Sequence, residues 1–425
     1  MHKQAFSLAT IGTLLEWAEY TFYGYMALTL SQLFFPASEP HIAIIKTFSI
    51  FAFGYIMRPL GAILFGHIGD KFGRKPALMA SMLLMGVSTL GIGLLPTYDH
   101  IGLYAPIGLL ILRLLQGVAV SGEYHGAGIF LIEKFGSKFP CFIGSIIPAC
   151  AAMGMVLGGL AAMLVSLPDT PSWAWRIPFL FGGLGCWVAL YLRKSLKETQ
   201  IFLNTKSRKQ LQRIPLKTIF TDQWRSVIFS IGIAAIVGVF VYIANIYLVT
   251  FLHHQAGLSH SLASMTAMLG ELLTALLIPV MGWWADHVDD PLLMLKRAIL
   301  GMIIGGPAIF ALCQTGNPLP LTFAMILYAL LNAMLCGPMV KVLFDQFPTE
   351  TRFTGNALSW NISVALFSSS APIVAKQLNY QLEWVYGPGF YISVIALFAY
   401  LCINLKDKKY ETRQSYFYSH LQRPD

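Results

Sequence analysis

Long apolar runs of about 20 residues or more recur along the chain, with only short polar stretches between them. About 20 residues of helix cross a hydrocarbon layer of about 30 Å, and these runs lack the apolar and polar alternation of membrane strands. With 56% hydrophobic and 12% charged residues, the 425-residue chain has too little polar surface for a globular body in water. The sequence therefore predicts an all-α polytopic membrane protein.

Twelve membrane spans are predicted, six in each half of the chain. The first six are 6–34, 47–65, 76–95, 101–130, 139–167 and 173–192. The last six are 224–252, 261–285, 293–312, 319–344, 354–375 and 384–404. We therefore expect two pseudo-symmetric six-helix bundles at 1–192 and 224–405, a linker at 193–223 and a short tail at 406–425.

Lysine and arginine are concentrated in alternate loops. The linker holds eight of them against two acidic residues, whereas loops on the other side, such as 36–41 and 169–172, hold none. Because cytoplasmic loops carry the excess of basic residues, both termini and the linker are predicted to be cytoplasmic. The expected location is a bacterial inner membrane, which the chain crosses many times.

Several classes of function are not expected. The net charge of +9 lies in short loops rather than in a basic domain, so nucleic acid is not a predicted partner. All six cysteines fall inside spans without metal-ligand spacing, and neither a metal site nor a disulfide framework is predicted. No phosphate-binding glycine loop or His/Glu metal pair occurs, so we expect no cofactor and no enzyme activity. The predicted partners are a small-molecule substrate, protons and the lipid bilayer, around a monomer.

A charged loop at 66–75 reads Gly-His-Ile-Gly-Asp-Lys-Phe-Gly-Arg-Lys and separates two apolar spans. Its glycines permit a tight turn and a close approach of helix ends. A weaker copy follows the eighth span, where Gly282 and Asp286 have the same spacing as Gly66 and Asp70. This repeat supports two similar six-helix units.

The 66–75 loop resembles the signature loop of the major facilitator superfamily. Four further stretches resemble its metabolite:proton symporter family, which includes proline/betaine, citrate, 2-oxoglutarate and shikimate transporters. They are Glu-Trp-Ala-Glu-Tyr at 16–20, Arg-Pro-Leu-Gly at 58–61, the Arg113 to Tyr124 stretch, and Phe-Pro-Thr-Glu-Thr-Arg at 347–352. The resemblance implies the two-bundle fold, uptake by symport, and a structural role for Arg58 near the cytoplasmic face.

Two features depart from that family's pattern. His125 stands where the family usually has glycine, beside Glu123. The tail at 406–425 is short and has no apolar heptads, whereas osmosensing members carry a long coiled coil. Osmotic gating is therefore not expected.

Ionisable residues inside the spans are the main candidates for function, because a charge at the bilayer centre costs at least ~2.5 to 3.5 kcal/mol. Glu16 and Glu19 lie three residues apart, on a helix stripe with Tyr20 and Tyr23 that is expected to face a cavity. The predicted proton-coupling residues are Glu123, Glu16 and Glu19. Arg113 offers planar donors to a substrate carboxylate.

Alternative interpretations of these charges remain open at this stage. Arg113 would equally serve as a permanent lock that pairs with Glu16 or Glu19, and a similar structural role is open for Glu123. His125, Glu271 and Arg58 are secondary candidates. Asparagines and aromatic residues of the second half provide neutral hydrogen bonds and cavity walls. The predicted substrate-binding set is Arg113, Tyr20, Tyr23, Gln116, Tyr124, Asn245, Asn332, Trp360 and Asn361.

Charged residues at the span ends are predicted to form a cytoplasmic gate that joins the two halves when it is shut. Its members are Gly66, Asp70, Arg74, Asp286, Glu350 and Arg352.

The function predicted from these features is secondary active transport by rocker-switch alternating access. The expected substrate is a small polar metabolite, namely a carboxylate-bearing organic acid, an amino acid or a betaine, taken up with protons. One alternative is proton-coupled efflux, or uptake of a larger compound such as a citrate-based siderophore. An alternative of another class is a non-transporting membrane sensor.

Overall fold

The structure is a computed structural model that describes residues 2–36, 39–167, 169–208, 211–212, 214–380, 382 and 384–405. The predicted tail at 406–425 lies outside the described residues. The division of the chain into two bundles, a linker and a tail at the stated boundaries stays a prediction.

Helices make up most of the first half. They are α1 (His2–Tyr25), α2 (Ala27–Phe34), α3 (Pro40–Lys71), α4 (Arg74–Leu94), α5 (Tyr98–Ile101), α6 (Tyr104–Phe135), α7 (Pro140–Val165) and α8 (Arg176–Arg193). Two short helices follow in the predicted linker, and these are α9 (Gln200–Ser207) and α10 (Pro215–Asp222).

The second half is built in the same way. Its helices are α11 (Trp224–Tyr242), α12 (Leu248–His254), α13 (His260–Ala285), α14 (Pro291–Gln314), α15 (Pro318–Phe344), α16 (Arg352–Ser363), α17 (Ala371–Tyr380) and α18 (Gly387–Ile403). A π-helical turn at Ile243–Tyr247 connects α11 to α12, and a second at Val364–Ser368 follows α16. Nothing in the sequence predicted these turns, in which each backbone hydrogen bond spans five residues rather than the four of an α-helix.

The predicted fold class is confirmed for the residues that the structure describes: they form an all-α membrane protein in which each of the twelve predicted spans, six in each half, overlaps at least one helix. In the described part of the chain, eight helical segments are long and apolar enough to cross a membrane. The other four predicted spans contain α1 with α2, then α3, α8 and α18.

Two pairs of helices join the halves near the 66–75 loop. The α3 helix packs on α16, and α13 packs on α7. A Cβ atom added to Gly66 would lie 2.7 Å from Thr354 Cα, and one added to Gly282 would lie 3.0 Å from the Cys141 carbonyl oxygen. The two glycines of the internal repeat therefore permit equivalent close contacts between the halves.

The helix ends differ from the prediction where charged side chains find partners inside the protein. The α3 helix extends well beyond the predicted 47–65, to Lys71. The α8 helix ends at Arg193, the first residue of the predicted cytoplasmic linker. The Arg193 side chain is fully buried in an ion pair with Glu123, so this first residue of the predicted linker packs inside the first half.

Candidate substrate site and gate

Three tyrosine side chains meet where the two halves face each other, and we call them the tyrosine cluster. Tyr55 Oη donates a hydrogen bond of 2.6 Å to Tyr242 Oη, which lies 3.4 Å from Tyr20 Oη. The rings of Tyr20 and Tyr55 make an edge-to-face contact at 5.6 Å. These residues lie on α1, α3 and α11, so the cluster bridges the bundles.

A small cavity of about 20 Å³ lies on the first-half side of the tyrosine cluster, and we call it the arginine cavity. It is lined by Glu19, Tyr20, Gly54, Tyr55, Arg58, Arg113, Gln116, Gly117 and Val120. Arg113 Nη2 donates to Glu19 Oε1 at 3.2 Å, and its guanidinium lies 3.4 Å from the centre of the Tyr23 ring. Gln116 donates to Thr89 Oγ1 at 2.8 Å. The structure therefore pairs Arg113 with an internal acid and places Tyr23 beneath it.

Arg58 differs from the other buried arginines. Arg74, Arg113, Arg193 and Arg352 each form an ion pair with a carboxylate. Arg58 is only 4% exposed, yet no carboxylate lies within ion-pair distance of it among the described residues. Its guanidinium instead lies 4.5 Å from the Tyr55 ring centre and 5.2 Å from that of Tyr20. Arg58 therefore lies at the tyrosine cluster, and its predicted structural role near the cytoplasmic face stays a prediction.

The predicted proton-coupling residues have three different environments. Glu19 pairs with Arg113, as described above. Glu123 accepts two hydrogen bonds from Arg193, at 2.5 and 2.9 Å, and one from Ser81. Glu16 is 2% exposed, and its Oε2 atom has no hydrogen-bond partner in the described part of the chain. Of the three, Glu16 alone makes no ion pair there.

A second cavity, of about 40 Å³, lies on the other side of the tyrosine cluster, and we call it the aromatic cavity. Its wall includes Trp17, Tyr124, Tyr242, Glu271, Asn332 and Trp360. Tyr124 and Trp360 stack at 5.4 Å between ring centres. His125 packs against Trp360 at 4.8 Å, and its Nε2 atom is buried with no partner among the described residues.

Glu271 is held by neutral groups. Its Oε2 atom accepts hydrogen bonds from Asn245 at 3.1 Å and from Tyr328 at 2.9 Å. Asn332 donates to the Tyr328 hydroxyl at 3.1 Å and extends this network. By contrast, Asn361 donates to the carbonyl of Ala357 on its own helix. Of the three predicted asparagines, Asn245 and Asn332 therefore belong to the hydrogen-bond network of Glu271, whereas Asn361 does not.

A wider cavity of about 360 Å³ lies between α7 and α13, and we call it the wide cavity. Ser166 and His260 line it at the helix ends that are distant from the 66–75 loop, while Asn245 and Glu271 line its inner part. Glu271 thus belongs to the walls of both the wide and the aromatic cavities.

The 66–75 loop contributes the first half of the predicted gate. Asp70 accepts hydrogen bonds from the backbone N–H groups of Phe353 at 3.0 Å and Thr354 at 2.8 Å. These N–H groups belong to the first turn of α16, where a carboxylate is favoured by the helix dipole. Arg74 bonds to Asp70 at 3.0 Å and to the Thr349 carbonyl at 2.8 Å. The contacts seal this end between the halves.

Asp286 makes the equivalent contact on the opposite side of the gate. It accepts hydrogen bonds of 2.8 Å from the backbone N–H groups of Cys141 and Phe142, in the first turn of α7. The two acids of the internal repeat therefore cap helices of the opposite half in the same manner. With both contacts formed, the two halves are joined at this end, which is the arrangement expected of the predicted gate when it is shut.

One further acid completes the gate, and the sequence did not single it out. Glu133 accepts bonds from both Arg74 and Arg352 at 3.1 Å, and thus links the halves. Glu350, a predicted member, makes no hydrogen bond or ion pair with any described residue. The spacing of Glu133 in the sequence gave no indication of this role, because its partners lie 59 and 219 residues away.

The chain is similar to known membrane transporters in sequence and in fold. A sequence profile of the Major Facilitator Superfamily matches residues 6–372. The chain is 32% identical over 413 residues to the proline/betaine transporter of Escherichia coli strain K12, covering 93% of this chain and 81% of that protein. It is also 32% identical over 416 residues to the glycine betaine/proline/ectoine/pipecolic acid transporter OusA of Dickeya dadantii strain 3937, covering 94% and 82%. The solved proton:xylose symporter XylE of E. coli has the same fold, with a TM-score of 0.69 and 18% identity over 94% of both chains.

Proposed function

The chain belongs to the major facilitator superfamily, and on that premise we propose that it is a proton-coupled symporter of a small polar metabolite that carries a carboxylate. The relatives are named as transporters of proline, betaine, ectoine and pipecolic acid, all of which contain a carboxylate. Family and fold make the chain a membrane transporter rather than an enzyme.

Arg58 carries this proposal. A buried guanidinium without a carboxylate partner is costly, and in four other places this chain supplies such a partner. Arg58 lines the arginine cavity together with Tyr20 and Tyr55. A carboxylate bound there would receive charge-assisted hydrogen bonds from the guanidinium and neutral ones from the tyrosines. We propose that the substrate carboxylate is the missing partner.

Glu16 supplies the coupling in this proposal. Glu16 and Arg58 are both buried, and neither side chain has an ion-pair partner among the described residues. Arg58 carries one positive charge and therefore neutralises one negative charge. That charge belongs either to ionised Glu16 or to the substrate carboxylate. Binding of the substrate carboxylate therefore favours a proton on Glu16, and release of the substrate lets that proton leave. Proton and substrate then cross together.

Glu19 and Glu123 have a different part in this scheme. Each is bound to an arginine on another helix, with contacts inside one half of the protein. We propose that these pairs hold the helices of the first bundle together while the bundle moves as one body.

Alternating access follows from the gate and the wide cavity. We propose that the end carrying the 66–75 loop faces the cytoplasm, with both termini, so that the wide cavity opens outward when the gate is shut. The substrate would enter along Glu271 and Asn245 toward the tyrosine cluster. We further propose that a monomer in the lipid bilayer suffices and that the proton is the coupling ion, with no cofactor.

Substrate binding to variants of Arg58 tests the proposal. The purified protein is titrated with proline, glycine betaine, succinate and citrate, and we expect affinity for at least one of them. Arg58→Gln should weaken that binding by about 10- to 150-fold, the value of hydrogen bonds to a charged group. Arg225→Gln, which removes an exposed arginine outside the cavities, is the matched control. Unchanged binding in Arg58→Gln would overturn the assignment.

A further inference from the structure

We infer that Glu271 forms a cation subsite, so that the carrier selects substrates with a positively charged nitrogen in addition to the carboxylate. The inference rests on the proposed function, in which Arg58 binds the carboxylate. It narrows the substrate class from carboxylates in general to zwitterions.

The surroundings of Glu271 favour a cationic ligand. The side chain is 2% exposed, and no lysine, arginine or histidine lies within ion-pair distance among the described residues. Asn245 and Tyr328 both donate to Oε2, whereas Oε1 accepts no hydrogen bond from any residue that the structure describes. The two donors fix the orientation of the carboxylate without cancelling its charge. A cation from outside the protein can therefore supply the counter-charge.

The aromatic cavity provides a second attraction for the same ligand. Besides Glu271, its wall holds the rings of Trp17, Tyr124, Tyr242 and Trp360. Aromatic faces attract ammonium groups, and quaternary ammonium groups in particular, because the ring quadrupole is negative above its plane. A carboxylate beside several aromatic rings is thus suited to a methylated or cyclic ammonium group.

The two subsites lie on either side of one structural feature. Tyr20 and Tyr55 line the arginine cavity with Arg58, and Tyr242 lines the aromatic cavity with Glu271. Their hydroxyls meet within the tyrosine cluster, so these side chains lie between the two cavities. A zwitterion held there has its carboxylate toward Arg58 and its nitrogen toward Glu271.

The position of Glu271 in the wall of the wide cavity agrees with this role. A substrate that enters through the wide cavity meets Glu271 before it reaches the tyrosine cluster. A carboxylate at this point attracts the cationic end and repels simple anions. Selection against anions therefore begins on the entry route.

A pair of isosteric ligands tests the inference directly. Glycine betaine and 3,3-dimethylbutanoate share a carboxylate and a three-methyl head, and they differ in having nitrogen or carbon at its centre. Binding of each ligand to the purified protein is measured by titration calorimetry or by competition. We expect the wild-type protein to bind glycine betaine at least about 30-fold more tightly, as for removal of one partner of a buried charge pair.

Variants assign that preference to one side chain. Glu271→Gln keeps the size and hydrogen bonding of the side chain but removes its charge, and it should reduce the ratio of the two affinities to nearly 1. Tyr328→Phe removes one donor to Glu271 and keeps the charge, and it should retain most of the preference. Size-exclusion profiles and thermal unfolding of each variant identify any that fails to fold.

The outcomes separate this inference from the proposed function. Equal binding of both ligands by the wild-type protein overturns the cation subsite, whether or not any variant folds. A preference that persists in Glu271→Gln also overturns it. Loss of proton movement in Glu271→Gln, with glycine betaine affinity unchanged, identifies Glu271 as a proton site instead. Binding of glycine betaine that does not depend on Arg58 refutes the proposed function, while a preference lost in Glu271→Gln would still support the subsite.

Discussion

The contact between Asp70 and the first turn of α16 allows a quantitative prediction about the gate. Asp70→Asn keeps the size of the side chain but leaves one acceptor oxygen for the N–H groups of Phe353 and Thr354. The Arg74 contact to Asp70 lies within one half. Its loss is therefore not counted among the contacts between the halves.

The magnitude follows from the contacts between halves that are lost. One hydrogen bond to a charged acceptor contributes about 1.5 to 3 kcal/mol, and the charge at the helix terminus adds about 0.3 to 1 kcal/mol. We therefore expect Asp70→Asn to favour opening by roughly 2 to 3 kcal/mol, allowing for partial compensation by water. This corresponds to about a 30- to 150-fold larger open fraction.

Cys141 is a suitable reporter of opening. Its side chain is 1% exposed at the interface of α7 and α13, on the other side of the gate from Asp70. In a variant that retains only this cysteine, the rate of maleimide labelling reports the open fraction while opening is rapid. Asp70→Asn should label about 30- to 150-fold faster. Glu350→Gln, at a predicted gate position that forms no hydrogen bond or ion pair with a described residue, should label at the original rate. Equal rates in Asp70→Asn and its parent, with both proteins folded, would refute the reasoning.

Three further predictions concern other contacts of the same structure. Asp286→Asn should favour gate opening by a similar amount as Asp70→Asn. The free-energy effects of the two substitutions should add in the double variant, because the two contacts share no partner. Transport assays and trypsin cleavage of the 193–223 linker check this prediction. Glu123→Gln should lower the free energy of unfolding by about 3 to 5 kcal/mol, since it leaves Arg193 buried without its partner. We expect a lower thermal unfolding temperature, with proton coupling retained in the folded fraction. Loss of coupling at unchanged stability would contradict this prediction. Gly66→Val should prevent full closure of the gate, because an added Cβ would lie 2.7 Å from Thr354 Cα. The control Gly102→Val, at an open position distant from the gate, is strained only locally. Maleimide labelling of Cys141 at the original rate in Gly66→Val would argue against this prediction.

The sequence was sufficient for the fold because membrane solvation acts on each span separately. Length and apolar character predicted twelve spans, each of which overlaps at least one helix of the structure, and the repeat of Gly66 and Asp70 at Gly282 and Asp286 indicated which helix ends join the halves. The spacing of glycine and aspartate was informative because a close approach and a helix cap need those residue types at one end of a helix.

The partners of the buried charges were beyond a reading of the sequence. Glu123 and Arg193 are 70 residues apart in the sequence. Helix periodicity predicts which face of its helix a residue lies on, but not which other helix packs against that face. For Arg58, the family resemblance implied a structural role near the cytoplasmic face, and nothing in that resemblance indicated its contacts with the tyrosine cluster. Tyr55, one turn before it, was the available signal, since an aromatic residue at that spacing can cover a guanidinium.

The central claim is that Glu16 carries a proton whenever a substrate carboxylate occupies Arg58. The most direct measurement follows glycine betaine entry and internal pH together in proteoliposomes, without any imposed pH gradient, for the wild-type protein and Glu16→Gln. The account predicts proton entry in proportion to substrate entry for the wild type, and substrate exchange without proton movement for Glu16→Gln. Proton entry that persists in Glu16→Gln, or wild-type uptake with no proton movement, would contradict it.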